Sequence, residues 1–129
     1  MSQRKLTLSI LQDTFAICKL DKDTRVPDWA LAGSFLSITR TLEEFSIVCL
    51  QDKIPERTPC DRGWRCLKVE GPFDLSVGGI VASFAGPLAD MGISILVVST
   101  FDTDYVLVKE NDLEKAVFVL SREGHNVRR

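Results

Sequence analysis

The stretch "FDLSVGGIVASFAGPLADMGISILVVSTFDTDYVLV", Phe73 to Val108, decides how this chain folds. It contains no Lys, Arg, Glu or His, and its only charges are Asp74, Asp90, Asp102 and Asp104. Glycines and polar residues break it too often for a membrane span. Within it Ile80, Val81, Phe84 and Leu88 share one helical face, and Gly92 supplies a left-handed stop. Pro87 deletes one backbone bond in that helix and should kink or tighten its last turns. "ISILVVST" reads as a strand covered on at least one face, and "DYVLVKE" returns antiparallel to it across a short turn.

Working outward, "WRCLKVE" (Trp64 to Glu70) alternates as a strand before the helix. After the two strands, "NDLE" opens a second helix, with Asn111 as cap and Glu114 reaching back as in a capping box. Leu113, Ala116, Val117 and Leu120 line its buried face, and Gly124 ends it. "HNVRR" leaves room only for a short closing strand. This β-α-β-β-α-(β) order is the split βαβ arrangement, with both helices on one face of an antiparallel sheet.

Upstream, four short runs read as strands: "LTLSIL", "FAICKL", "SFLSITRT" and "EFSIVCL". "QDT" joins the first two and "LE" the last two, which suits two hairpins. Between the pairs, Pro27 and Gly33 leave space for a turn or two of helix. The most loop-like segment is Gln51 to Gly63, with Pro55 and Pro59. The expected fold class is therefore α+β, with two ferredoxin-like units at residues 1–60 and 61–129. The second is βαββα(β) and the first has reduced helices.

A chain of 129 residues can bury a core without covalent staples. Its net charge of −2 gives no basic stripe for phosphate, so no nucleic-acid partner is expected. No segment has signal-peptide character or approaches the length of a membrane span, so no membrane association is expected. Cys18 and Cys49 lie in apolar runs, and the spacing of Cys60 and Cys66 does not suit a zinc knuckle. These thiols read as the reduced, mostly structural cysteines of a cytoplasmic protein.

The order and spacing of "GGIVASFAGPLA", "GISIL" and "STFDTDYVLV" resemble the ACT domains that sense amino acids. The nearest resemblance is to tandem ACT proteins: the regulatory region of aspartokinase and the cytosolic arginine sensors of the TOR pathway. In the first half the resemblance rests on "EEFSIVC". It implies a pair of ACT units with a free amino acid held between them as effector.

The residues themselves are compatible with that implication. At the helix entrance "FDLSVGGI" the first N–H groups lack intrahelical partners, and the helix dipole is positive there. Gly78 and Gly79 allow a ligand close to the backbone, so Ser76, Val77, Gly78 and Gly79 can receive a carboxylate, although a glycine pair also serves packing or a tight turn. In "STFDTDY", Asp102 suits a turn-former, while Asp104 opens the next strand, where it can meet an ammonium or guanidinium. The resemblance assigns Thr100, Phe101 and Asp104 to the effector pocket, with Phe101 as an apolar wall. It also assigns Ser46 and Ile47, through their backbone groups, although both also read as ordinary strand positions.

Enzymatic motifs are missing. The single histidine, His125, lies near the end of the chain without a neighbouring nucleophile motif, and there is no GxxxxGK[ST] or GxGxxG. The chain reads as a regulatory amino-acid sensor rather than an enzyme, with no cofactor and no metal. The alternative is a ligand-free structural or dimerisation module. A homodimer and a regulated protein partner both fit the resemblance.

Overall fold

A single strand, β1 (Thr7–Leu20), stands where the sequence suggested a hairpin. The "QDT" trio does not reverse the chain; Gln12 and Asp13 simply face solvent within the strand. Tight hairpin loops need positive φ, and among the described residues only glycines adopt it. The computed structural model describes residues 5–70 and 79–129.

The remaining elements are β2 (Ser37–Arg40), β3 (Phe45–Leu50), β4 (Cys60–Val69), α1 (Ile80–Asp90), β5 (Ile95–Ser99), β6 (Asp104–Lys109), α2 (Leu113–Arg122) and β7 (Asn126–Arg128). The α+β class holds. One compact unit is Asp13–Trp64, and the described residues on either side of it form the other. The division falls inside β1 and β4, because each of these strands continues from one unit into the other.

In the 13–64 unit the strand order is β2-β3-β1-β4. β3 is antiparallel to both neighbours, with Ile47 opposite Cys18 on one side and Ile38 on the other. Ala16, Cys18, Phe45, Ile47 and Cys49 form the core with Ala30 and Ile54. Phe15 meets Phe35 edge to face at 5.5 Å. The short helical turn expected after Pro27 is a 3-10 turn, Asp28–Leu31. The expected loop contains another 3-10 turn at Gln51–Lys53, and β4 already begins at Cys60.

In the other unit β4 pairs with β6, and β6 with β5. The early part of β1 lies beside β4 and carries β7 parallel to it on its far side, Thr7 opposite Asn126. Leu6 and Leu8, Leu67 and Val69, and Val106 and Val108 alternate along these strands and face one layer of helices. Ile80, Phe84 and Leu88 of α1 close that core with Leu113, Ala116, Val119 and Leu120 of α2. Both helices therefore sit on one face of the sheet, as expected. Two helical positions differ from expectation. Val81 is exposed, and Val119 rather than Val117 is the buried valine of α2.

The capping box is also replaced. A 3-10 turn, Glu110–Asp112, leads into α2, so Asp112 rather than Asn111 occupies the cap position, and it makes no side-chain cap bond. Glu114 turns outward and takes both guanidinium nitrogens of Arg129, at 2.6 and 2.9 Å. A bidentate guanidinium fork outcompetes a single backbone N–H for a carboxylate.

Candidate functional site

The β5–β6 hairpin carries three of the expected ligand residues and is built as a rigid four-residue loop. Ser99 lies opposite Asp104 as the last pair of the ladder, leaving Thr100, Phe101, Asp102 and Thr103 as the turn. Thr100 N–H donates to the Thr103 carbonyl at 2.8 Å, and its hydroxyl accepts from Thr103 N–H at 3.2 Å. The buried Thr103 hydroxyl donates to the carbonyl of Val69, the last residue of β4. That bond pins the hairpin tip to the end of the strand that precedes α1 in the chain.

Asp104 is half-buried, and one of its carboxylate oxygens accepts a hydrogen bond from the Ser99 hydroxyl. A carboxylate offers about four lone-pair sites, so a single hydroxyl orients it and leaves capacity for a cation. Phe101 is 81% exposed at the loop tip. An aromatic ring held in solvent by a well-bonded turn is available to cover a small ligand.

Gly79 is the cap residue of α1, with φ of 85°. An added Cβ there would meet open space, so the glycine answers to backbone conformation rather than to crowding. The first intrahelical bond runs from Ser83 N–H to Gly79 O at 3.0 Å. The N–H groups of Ile80, Val81 and Ala82 thus precede the ladder, as an anion-accepting helix start requires. Ser76, Val77 and Gly78 lie outside the described residues.

Ser46 and Ile47 belong to the 13–64 unit. Both are in register with β1 and with β2, so their backbone groups serve the two ladders. The Ile47 side chain is fully buried in the core, and the Ser46 hydroxyl donates to Glu44. Ser46 also lines a cleft of about 300 Å³ with Lys19, Glu44, Cys60 and Asp61.

Sequence reasoning passed over Ser99 and Thr103. The hairpin register alone would have found Ser99, because a four-residue loop sets it opposite Asp104. It also placed His125 in a tail, whereas His125 is buried, accepting from Leu6 N–H at 3.0 Å and lying 2.9 Å from the Ser83 carbonyl. A ring so engaged is structural. Among the described residues no cluster of His, Cys, Asp and Glu could hold a metal, and no helix is long and apolar enough to cross a membrane.

Comparison with known proteins identifies relatives of this chain. The ACT domain model matches residues 60–122, which include both Gly79 and Asp104, and a model described as an N-terminal domain matches residues 13–57. The cytosolic arginine sensor for mTORC1 subunit 1 of Bos taurus is 31% identical over 100 residues, covering 69% of this chain. The chain spans only 30% of that sensor's length. The crystal structure of Agrobacterium tumefaciens protein Atu0741 is 47% identical, with a TM-score of 0.91, and the match covers 96% of this chain and 92% of that one. Aspartate kinase of Clostridium acetobutylicum shares the fold at a TM-score of 0.69 and 14% identity, over 95% of this chain and 35% of the kinase. The chain belongs to the same family as the Agrobacterium tumefaciens protein, matches the ACT domain over residues 60–122, and shares the fold of aspartokinase regulatory regions.

Proposed function

We propose that the protein is a regulatory module that binds a free amino acid and has no catalytic activity of its own. The effector's α-carboxylate meets the helix entrance at Ser76, Val77, Gly78 and Gly79. Its cationic group faces Asp104, with Thr100 and Phe101 closing over it. The observation that carries this reading is the oriented Asp104 carboxylate, held by Ser99 in a hairpin that Thr103 ties to β4. A fixed acceptor beside an exposed aromatic ring is suited to an ammonium or guanidinium.

Binding serves to regulate a protein partner in the cytosol, and the working form is a homodimer. The exposed Val97 on the terminal strand β5 supports such an assembly, because unpaired strand edges invite pairing. Calorimetric titration with the twenty amino acids tests the sensor reading. One or a few should bind at roughly micromolar to millimolar Kd. If none binds below about 10 mM, the protein is a ligand-free structural module instead. Light scattering tests the assembly, and a mass of 14.4 kDa at high concentration would refute the dimer.

A further inference from the structure

Two cysteines of the 13–64 unit face each other across neighbouring strands. Lys19 N–H donates to the Pro59 carbonyl at 3.1 Å, and Glu70 N–H donates to the Thr7 carbonyl at 2.8 Å. These bonds show β1 and β4 running antiparallel, with β1 advancing one residue further between them, which marks a bulge. At the first bond, residues 19 and 59 form a hydrogen-bonded pair. Pro59 has no N–H with which to return the second bond. Continued one residue inward from that bond, the register sets Cys18 opposite Cys60 at a non-hydrogen-bonded position, and both cysteines border one cleft.

Such a position brings the two Cα atoms to about 4.5 Å and puts both side chains on one face. That separation lies within the roughly 4.4–6.8 Å span of a disulfide. The packing agrees, because Cys60 lies against the core cluster that contains Cys18. Cys49 also meets Cys18: it sits opposite Ala16 while Cys18 sits opposite Ile47, and the two thiols share a hydrogen bond along that diagonal, so Cys49 competes for the same sulfur. All four cysteines are free thiols in this structure.

The two thiols also differ in access. Cys18 is buried and Cys60 only partly so, yet both line the 300 Å³ cleft beside Lys19, Glu44 and Asp61. Cys49 and Cys66 are fully buried and do not line it. We propose that Cys18 and Cys60 form a reversible redox pair, oxidised by hydrogen peroxide entering this cleft and closing to a cross-strand disulfide between β1 and β4.

The chemistry balances in two steps. The Cys60 thiolate attacks one oxygen of peroxide, the O–O bond breaks, and the leaving hydroxide takes up a proton to become water. Cys60 is then a sulfenic acid. The Cys18 sulfur attacks the Cys60 sulfur, the S–O bond breaks, and the hydroxide leaves as a second water with the Cys18 proton. Two thiols and one peroxide give one disulfide and two waters. Burial, reinforced by Cys49 and Cys60, pushes the Cys18 thiol up to about 12, so it stays protonated at neutral pH and acts second.

This pair is independent of the amino-acid reading. The test exposes the reduced, folded protein to graded hydrogen peroxide, blocks remaining thiols by alkylation and maps peptides without reduction. A cross-linked peptide joining Cys18 to Cys60 is expected, lighter by two hydrogens than its parts and released by dithiothreitol. It should persist in Cys49→Ala and vanish in Cys60→Ser. Cys60 sits at the start of a strand and is partly exposed, so that variant should still fold. Cys18→Ser should leave Cys60 as a sulfenic acid that dimedone traps. The proposal is overturned if Cys60 passes to sulfinic acid while Cys18 remains alkylatable, or if Cys18–Cys49 is the main cross-link. It is equally overturned if no thiol is lost.

Discussion

His125 Nε2 stands 2.9 Å from the carbonyl oxygen of Ser83, the oxygen that Pro87 leaves without its helical donor. A residue four positions after Ser83 would normally give that carbonyl an N–H, and proline has none. The other ring nitrogen, Nδ1, accepts from Leu6 N–H, so the proton belongs on Nε2, which donates to Ser83. One imidazole thus repairs a proline gap in α1 and holds the start of β1.

His125→Ala should therefore leave two buried backbone groups without partners. A loss of roughly 2–4 kcal/mol in unfolding free energy is expected. Pro87→Ala restores the missing N–H, so the double variant should lose less than the sum of the two single changes. Denaturant unfolding of the four proteins measures that coupling, and strict additivity would show that Pro87 and His125 do not share the Ser83 oxygen.

Thr103 ties the hairpin to β4 through its buried hydroxyl. Thr103→Val keeps the shape and removes the donor, leaving the Val69 carbonyl short of a partner. About 1–2 kcal/mol should be lost. Thr103→Ser retains the hydroxyl and should lose less. If denaturant melts rank the two variants the other way, methyl packing rather than the hydrogen bond anchors the loop.

Glu114 and Arg129 are both exposed, and the bidentate bond to Arg129 holds the Glu114 carboxyl below its ordinary value of 4.5. A carboxyl lowered in the folded state adds stability above its unfolded value. That stability fades as pH falls through the lowered folded value and is gone below both. As pH falls from above the ordinary carboxyl value of 4.5 to below the lowered one, the small Tm advantage of wild type over Glu114→Gln should therefore vanish. Molar salt should shrink it at every pH, because exposed pairs are screened.

Much of the C-terminal unit was legible because its signals are local. The spacing of Ile80, Phe84 and Leu88 gave α1, and the apolar run after Gly92 gave β5. Gly92 and Gly124 end their helices with φ of 73° and 93°. What escaped the sequence depends on distant partners. Thr7 pairs with Asn126, and no local pattern announces a contact between opposite ends of a chain. Glu114 had a plausible near acceptor at Asn111 and took a distant guanidinium instead. Ser99 was hidden for a different reason: its role follows from hairpin register, which depends on where the loop begins.

The ligand proposal stands or falls on Asp104. In the hairpin its carboxylate is oriented by Ser99, whereas Asp102 is exposed within the turn. Asp104→Ala should weaken amino-acid binding more than tenfold, which is about 1.4 kcal/mol or more. Asp102→Ala should change it little, since Asp102 is exposed and the turn is closed by the bonds between Thr100 and Thr103. Ser99→Ala removes only the orienting hydroxyl, so its effect should fall between the two. Phe101→Ala strips the exposed wall and should also reduce affinity without altering the unfolding midpoint, because the ring packs on little of the protein. Calorimetry on the four variants distinguishes these roles. Equal losses for Asp102→Ala and Asp104→Ala would keep sensing but remove Asp104 from its particular position. Unchanged binding in Asp104→Ala would move the effector away from this hairpin altogether.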